Sequence, residues 1–281
     1  MKDLRSVCLI LGPYRNLTTL LSAVLFLHPN CQVLNHAEDR VLQNKNINFL
    51  SEYSPSKFDA FCRFVLTESQ GGKRGRYGGS ITLSHAFDHK NMKETFRKRY
   101  GDQLLKSTIN SIAWKGDLRI TNFIRNNNID IPHILEQNPP LRFLLPVRNP
   151  LDCTLSSIKT GHIKLFPGLK TYSPEAVLEK ILETFLWFVK QKNEHDDRFM
   201  FFFQHEINRK LLMNLADFLE LEPEERWINS SLKTFQIKPA NYDHPGELIK
   251  TYKRLINQHF EDYPVFQEGL SKFLDKRGQP T

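Results

Sequence analysis

Residues 6–27 read SVCLIL-GPYRNL-TTLLSAVLFL, and this stretch decides the fold of the chain. Its first six residues are rich in Val, Ile and Leu without polar alternation, which predicts a strand buried on both faces. Gly12 and Pro13 interrupt the strand, and the apolar run that begins at Thr18 and Thr19 predicts a buried helix. The stretch is therefore predicted to be a strand, a loop and a helix, as in α/β proteins.

The loop at residues 12–17 is a candidate anion site. A loop that enters a helix N-terminus points unpaired backbone N–H groups outward, and the helix dipole adds to their positive field. Arg15 adds a permanent charge suited to phosphate or sulfate oxygens, and Thr18 and Thr19 add hydroxyl donors. The loop lacks the glycine spacing and the lysine of a Walker A motif. The alternative is an ordinary strand-to-helix connection that binds nothing.

Composition indicates a globular α/β protein that attracts anions. The chain has 281 residues, of which 40% are hydrophobic and 25% charged, and its formal net charge is +8. No internal repeat, low-complexity tract or linker divides residues 1–281, so we expect a single domain. The charge favours anionic partners, whether a nucleotide, a sulfated or phosphorylated substrate, nucleic acid or an anionic membrane surface, and it does not choose among them. No signature of specific nucleic-acid binding is present.

We expect a cytoplasmic protein without a membrane span. The apolar run after Lys2 and Arg5 lasts six residues, which is too short for a signal peptide. Residues 17–27 are about half of the ~20 residues that a helix needs to cross a bilayer. The cysteines, at positions 8, 31, 62 and 153, lack the close spacing of a zinc site, so we expect reduced thiols.

Candidates for a general base follow a second predicted strand, residues 33–36. The carboxyl ends of parallel strands are where α/β proteins place ligands, so His36 and Glu38 are candidates. A loop histidine and a helix-capping carboxylate are the alternatives for these two. A further predicted strand brings Lys115 to the same edge of the sheet.

Two more features lie near these candidates. Residues 71–79, GGKRGRYGG, combine glycines with three cations and predict an irregular loop, either closing over a phosphate or mobile at the surface. Asp117 is expected to cap the helix that follows Lys115.

Residues 142–157, RFLLPV-RNPLDCTLSS, repeat the change from strand to helix. Pro150 suits a first helical turn, which places Arg148 at the strand end and Ser156 about two turns into the helix. Arg148 and Ser156 can then reach one anion at the sheet edge. The alternative is an ion pair between Arg148 and Asp152 at the helix start.

These stretches together resemble the sulfotransferases that use 3′-phosphoadenosine-5′-phosphosulfate (PAPS), in particular the bacterial and Golgi branches. Residues 15–19, RNLTT, resemble the family's Arg/Lys-Ser-Gly-Thr-Thr loop for the 5′-phosphosulfate. Residues 148–156, RNPLDCTLS, resemble its Arg-Asp/Asn-Pro-x-Asp-x-x-x-Ser element for the 3′-phosphate. The Leu-His-Pro sequence at 27–29 and the strand ending FFFQHE at 201–206 also resemble the family.

The resemblance implies a P-loop-like sulfotransferase architecture with a central, mostly parallel sheet flanked by helices. It implies transfer of a sulfuryl group from PAPS, without a metal, to a hydroxyl or amine of a small-molecule or glycan acceptor. The nucleotide-binding residues that it implies are Pro13, Tyr14, Arg15, Asn16, Leu17, Thr18, Thr19, Arg148 and Ser156. The catalytic residues that it implies are Arg15, a base among His36, Glu38 and His85, and Lys115 as an electrostatic helper.

Two other functions stay open. A P-loop-type small-molecule or nucleotide kinase would need Mg²⁺ ligands and a lysine in the loop, and the sequence identifies neither. A nucleotide-binding protein that has lost turnover is favoured by Asn16 and Leu17, which replace the usual Ser and Gly of the loop. Residues 276–278, Lys-Arg-Gly, are a candidate for the family's basic C-terminal segment.

Overall fold

Seven strands form one sheet in the computed structural model of the protein, which describes residues 3–169, 171–235 and 242–274. The strands are β1 (Ser6–Leu11), β2 (Cys31–Asn35), β3 (Gly72–Lys73), β4 (Gly78–Ser80), β5 (Ser111–Gly116), β6 (Leu141–Val147) and β7 (Phe199–Phe203). Their order in the sheet is β3-β4-β2-β5-β1-β6-β7. Strands β2, β5, β1, β6 and β7 run parallel, whereas β4 pairs antiparallel with β2. The predicted α/β fold with a mostly parallel sheet is confirmed.

Twelve helices accompany the sheet in the described residues. They are α1 (Thr18–Phe26), α2 (Glu38–Leu42), α3 (Pro55–Glu68), α4 (Lys90–Tyr100), α5 (Asp117–Asn126), α6 (Ile131–Gln137), α7 (Pro150–Lys159), α8 (Pro174–Glu194), α9 (Arg209–Phe218), α10 (Glu225–Thr234), α11 (Gly246–His259) and α12 (Pro264–Ser271). Short 3-10 turns lie at Ile81–Leu83, His85–Asp88, His162–Leu165 and Gln204–Glu206. Within the described ranges, none of the helices has the length and apolarity that crossing a membrane requires.

Strand β1 is buried on both faces, which explains its unbroken apolar sequence. Its alternate residues Val7, Leu9 and Leu11 join one apolar cluster, together with side chains of α3, α5, α8 and α11. Cys8 and Ile10 join a second cluster, with side chains of α1, α4, α9 and α10. Each buried aliphatic side chain stabilises the fold by roughly 1.5–3 kcal/mol relative to an exposed one. The two clusters therefore hold β1, and the loop that follows it, at the centre of the molecule.

The glycine-rich stretch at residues 71–79 is a hairpin of two short strands joined by a turn at residues 74–77, so the prediction of an irregular loop is wrong for its two ends. Strand β3 pairs antiparallel with β4, and Gly72 lies opposite Gly79. Gly78 has a φ of 84°, and a Cβ atom there would lie 2.3 Å from the backbone nitrogen of Ala37. Glycine allows the hairpin to lie directly against the turn that follows β2. The Lys-Arg-Gly stretch at 276–278 lies outside the described residues.

Replacing Gly78 should therefore destabilise the protein more than replacing a glycine of the same conformation in open space. Gly75 has the same φ of 84°, and a Cβ there would meet no atom within 4 Å. We expect Gly75→Ala to cost about 1–2 kcal/mol through its left-handed conformation alone. Gly78→Ala should cost a further ~1–3 kcal/mol because the added methyl group overlaps the backbone of Ala37. Urea unfolding followed by circular dichroism measures the free energy of unfolding of both variants. Equal losses of stability would contradict the close contact between Gly78 and Ala37.

Candidate functional site

A cavity of about 730 Å³ lies at the carboxyl ends of β1, β2, β5 and β6. Ten of the predicted site residues lie on its wall: Tyr14, Arg15, Asn16, Leu17, Thr18, Thr19, His36, His85, Lys115 and Arg148. Pro13, Glu38 and Ser156 are buried and do not form part of the wall. Parallel strands bring the ends of distant segments to one edge of the sheet, so the cavity unites residues that the sequence separates.

Asn16 joins the loop after β1 to the end of β6. It is fully buried, its Nδ2 donates to the carbonyl of Pro146, and its Oδ1 accepts from the backbone N–H of Arg148 at 2.8 Å. The carbonyl of Arg15 in turn accepts from Nη1 of Arg148 at 3.3 Å and from Sγ of Cys153 at 3.4 Å. The two stretches that resemble nucleotide-binding elements therefore form one bonded unit.

Leu17 takes a backbone conformation that glycine adopts more readily. Its φ is 63°, in the left-handed region, and it is the residue before α1. A non-glycine residue pays roughly 1–2 kcal/mol for this conformation. The tight turn thus persists with a Leu at the position of the family's Gly.

Arg15 and Arg148 differ in how fully their hydrogen-bonding groups are used. Nε of Arg15 donates to Oγ of Ser156 at 2.8 Å, so the buried serine orients this guanidinium. Arg148 lies 3.6 Å from the carboxylate of Asp152, but its buried Nε has no hydrogen-bond partner among the described residues. Buried donors are nearly always paired in native proteins. Arg148 also lies on the cavity wall, where its guanidinium can meet an anionic ligand.

His36 belongs to a chain of titratable side chains at the cavity floor. Its Nδ1 lies 2.9 Å from Oε1 of the buried Glu38, and its Nε2 lies 3.1 Å from Nζ of Lys115. A carboxylate only accepts, so Nδ1 of His36 is the donor and Nε2 carries the lone pair. Glu38 thereby sets the tautomer and the orientation of the ring that faces the cavity.

Asp117 does not cap helix α5, so that prediction is wrong. The residue before the helix is Gly116, and no side chain caps the helix start. Asp117 is the first residue of α5, with a φ of 48°, and its carboxylate forms an ion pair with Lys115. Both side chains are at most 2% exposed, and a buried lysine needs such a partner. The Lys-x-Asp spacing at a strand end was the available signal for this pair.

Backbone strain is concentrated around the cavity. Seven non-glycine residues of the described chain have a positive φ, and five of them lie in its loops and strand ends: Arg15, Leu17, His36, Ala37 and Asp117. Such conformations cost on the order of 1–3 kcal/mol each and persist where surrounding contacts enforce them, often at functional sites. Their clustering makes this cavity the candidate functional site.

Positive charge dominates the cavity. Partial burial, then the charges of Arg15, Lys115 and Arg74, lower the pKa of His85 to about 4, so this ring is neutral at pH 7. Burial and Arg15 also lower the pKa of His162, whose ring packs against Tyr14 at a centroid distance of 4.9 Å. His162, Lys90 and Lys233 also line the cavity and were not predicted, whereas Arg74 belongs to the cationic stretch noted at residues 71–79. Among the described residues, no group of three or more His, Cys, Asp or Glu side chains could hold a metal ion.

No family model and no curated protein matches the sequence, but solved structures are similar to it. Sulfotransferase STF9 from Mycobacterium avium is 14% identical with a TM-score of 0.47, covering 94% of this chain and 77% of that one. Mouse sulfotransferase SULT7A1, complexed with PAP, is 11% identical with a TM-score of 0.45, covering 95% and 87%. A sulfotransferase from Alicyclobacillus acidocaldarius is 12% identical with a TM-score of 0.45, covering 95% and 96%. All three are sulfotransferases, the family that residues 15–19 and 148–156 resemble.

The pKa of His85 should respond to the charge of Arg15. We expect His85 to titrate near pH 4 in the unmodified protein and at a higher pH in Arg15→Ala, because removing a nearby positive charge eases protonation. Arg254→Ala, on the exposed surface of α11, is the control and should leave this pKa unchanged. NMR titration of labelled histidine measures all three proteins. Titration of His85 near 6.5 in the unmodified protein would contradict a strongly positive cavity.

Proposed function

We propose that the protein is a sulfotransferase that transfers a sulfuryl group from PAPS to a hydroxyl or amine. The observation that carries this proposal is that Arg15 and Arg148 lie on the wall of the same cavity. Asn16, which follows Arg15, bonds to the backbone of Arg148 and so connects the two. A donor with anionic groups at its 5′ and 3′ ends needs two cationic elements at fixed separation. The bonded unit around Asn16 supplies both.

The residues present fit such a donor. The N–H groups at the start of α1, with Arg15, suit the 5′-phosphosulfate, and the guanidinium of Arg148 on the cavity wall suits the 3′-phosphate. Ser156 is 1% exposed and already accepts from Arg15. We therefore assign Ser156 to the orientation of Arg15, and Arg148 to direct contact with the 3′-phosphate.

When bound, PAPS supplies an activated sulfuryl group. Arg15 and the hydroxyl groups of Thr18 and Thr19 stabilise the negative charge that grows on the oxygens around the transferred sulfur. These groups are held in advance by the loop, so little reorganisation is needed during the reaction. Arg15 is the group whose contact strengthens as charge develops, which is the requirement for raising turnover.

We assign the acceptor proton to Nε2 of His36. Glu38 keeps the ring proton on Nδ1, and Nε2 can accept once Lys115 gives up its contact with this atom and keeps its ion pair with Asp117. Glu38 touches no substrate in this scheme and acts by positioning His36 and compensating the imidazolium charge. Lys115 keeps a positive charge at the cavity floor. His85, with a pKa of about 4, is too weak a base for this task.

The first test is nucleotide recognition. We expect 3′-phosphoadenosine-5′-phosphate (PAP) to raise the melting temperature while ATP, with or without Mg²⁺, does so weakly, because Arg148 recognises a 3′-phosphate that ATP lacks. At ~100 times its dissociation constant a ligand adds about 2.7 kcal/mol of stability. Arg142→Ala, at the opposite end of β6 from Arg148, is the control and should keep the PAP response. Equal shifts with both nucleotides would favour the kinase or a general anion site.

The second test separates the roles of the two arginines. Arg15→Ala should lower turnover on the order of 10²-fold or more, with a smaller loss of nucleotide affinity. Arg148→Ala should chiefly weaken nucleotide binding, by roughly 1.5–3 kcal/mol for a lost charged hydrogen bond. Sulfate transfer from labelled PAPS and separate titration with PAP measure the two quantities. If PAP binds but no acceptor is sulfated, the protein is a binding protein. If Arg15→Ala keeps full turnover, the catalytic role assigned to Arg15 fails.

A further inference from the structure

The hairpin formed by β3, β4 and the turn between them carries cations that the proposed nucleotide site does not use. We call residues 71–80 the cationic hairpin. It contains Lys73, Arg74 and Arg76 and no acidic residue. Lys73 and Arg76 are exposed, and neither forms an ion pair with a side chain of the described residues. Charges that are left without partners beside a cavity are available to a ligand.

Packing holds the cationic hairpin beside the proposed base. Asn35 of β2, which precedes His36, pairs with Gly79, and Gly78 lies directly against Ala37, which follows His36. The hairpin therefore packs against the turn that carries His36. A ligand group bound by the hairpin would lie near the atom that accepts the proton.

The tip of the cationic hairpin reaches the cavity. Arg74 and Gly75 lie on its wall, and the guanidinium of Arg74 makes two hydrogen bonds, of 2.7 and 3.3 Å, to the carboxylate of Asp88. Both side chains of this pair are more than half exposed, so it positions the tip without strongly neutralising Arg74. The pair fixes the hairpin against the 3-10 turn that contains His85.

Tyr77 adds an aromatic surface to this patch of charge. Its side chain is about half exposed, the guanidinium carbon of Arg40 lies 4.6 Å from the ring centroid, and Nζ of Lys73 lies 5.4 Å from it. An exposed ring flanked by cations suits a ligand that offers both an apolar face and negative charge.

Three cations of the cavity wall are neither assigned to the donor nor paired with Asp117. The wall carries six cations, Arg15, Arg74, Lys90, Lys115, Arg148 and Lys233, and one carboxylate, Asp117. Lys115 is paired with Asp117, and Arg15 and Arg148 are assigned to the two ends of PAPS. The other three cations are Arg74, which pairs with Asp88, Lys90, which lies 3.7 Å from Glu94, and Lys233. Both pairs are largely exposed to solvent, so Arg74 and Lys90 can still attract an anion.

We infer that the acceptor is itself an anion, a molecule that carries a carboxylate or sulfate group beside its hydroxyl or amine, and that the cationic hairpin binds this group. The inference rests on the proposed function. The same chemistry occurs in small aromatic acids and in acidic saccharides. The hairpin would attract either one and would orient its nucleophile toward His36.

Calorimetric titration of the protein saturated with PAP tests the inference without requiring turnover. The small probes are 4-hydroxybenzoate and its neutral isostere 4-hydroxybenzamide. The saccharide probes are a tetrasaccharide of alternating glucuronate and N-acetylglucosamine and the neutral tetramer of N-acetylglucosamine. We expect the acidic member of at least one pair to bind about tenfold tighter or more, and less tightly as salt screens the charges. The pair that discriminates identifies the source of the anion.

Paired double variants locate the site. The double variant Lys73→Ser, Arg76→Ser should lower the affinity for the acidic probe by about fivefold per lost cation, while the affinity for PAP stays unchanged. Lys253→Ser with Arg254→Ser, on the exposed face of α11, removes the same charge and is the control. It should leave both affinities unchanged. Melting temperatures verify that both variants are folded, since all four positions are exposed.

Three outcomes would overturn the inference: neutral probes binding as well as acidic ones, no probe binding at all, or equal losses in the two double variants. The last would mean that only the net charge of the protein attracts anions. Failure of the proposed function is a separate result, because it would appear as the absence of PAP binding before any acceptor probe is added.

Discussion

The buried amide of Asn16 is the contact on which the rest of the site depends. It bonds the loop after β1 to the end of β6, through the carbonyl of Pro146 and the N–H of Arg148. An amide offers a donor and an acceptor on one rigid group, so it can satisfy two opposed backbone groups at once. A serine hydroxyl is shorter and reaches less far. Asn16 departs from the family's motif in the sequence, and in the structure it connects residues 15–19 to residues 148–156.

A second constraint is the burial of charge at the cavity floor. Glu38, His36, Lys115 and Asp117 form a continuous chain in which each ionisable group has a partner. Removing one member of a buried ion pair leaves the other without compensation, which commonly costs several kcal/mol. The chain therefore fixes the positions of its members as a set. It also explains why strained backbone is tolerated at His36 and Asp117, since the side-chain contacts enforce those conformations.

The two motif segments were predictable because their signals are local. The apolar run of β1 and the position of Pro150 at the start of α7 specify a strand and a helix from neighbouring residues alone. The hairpin of β3 and β4 was not predictable, because its glycines form strands only by pairing with each other and with β2. Helix α2 was also missed, since it has only five residues and begins after two residues of positive φ.

The sequence by itself determined the class of fold, the two cationic loops at strand ends, and Arg15, His36, Lys115 and Arg148 as residues of one edge. The pattern of apolar residues along each segment predicts the strands and helices. In a parallel sheet the carboxyl ends of the strands then share one edge, so the residues that follow them are expected there. Only the tertiary structure decided the partners: Ser156 with Arg15, Asp117 with Lys115, and Glu38 behind His36. It also decided that a glycine-rich stretch becomes a cationic hairpin at the cavity. Hydrogen bonds and ion pairs depend on distances between segments far apart in sequence, and packing of the whole chain sets those distances.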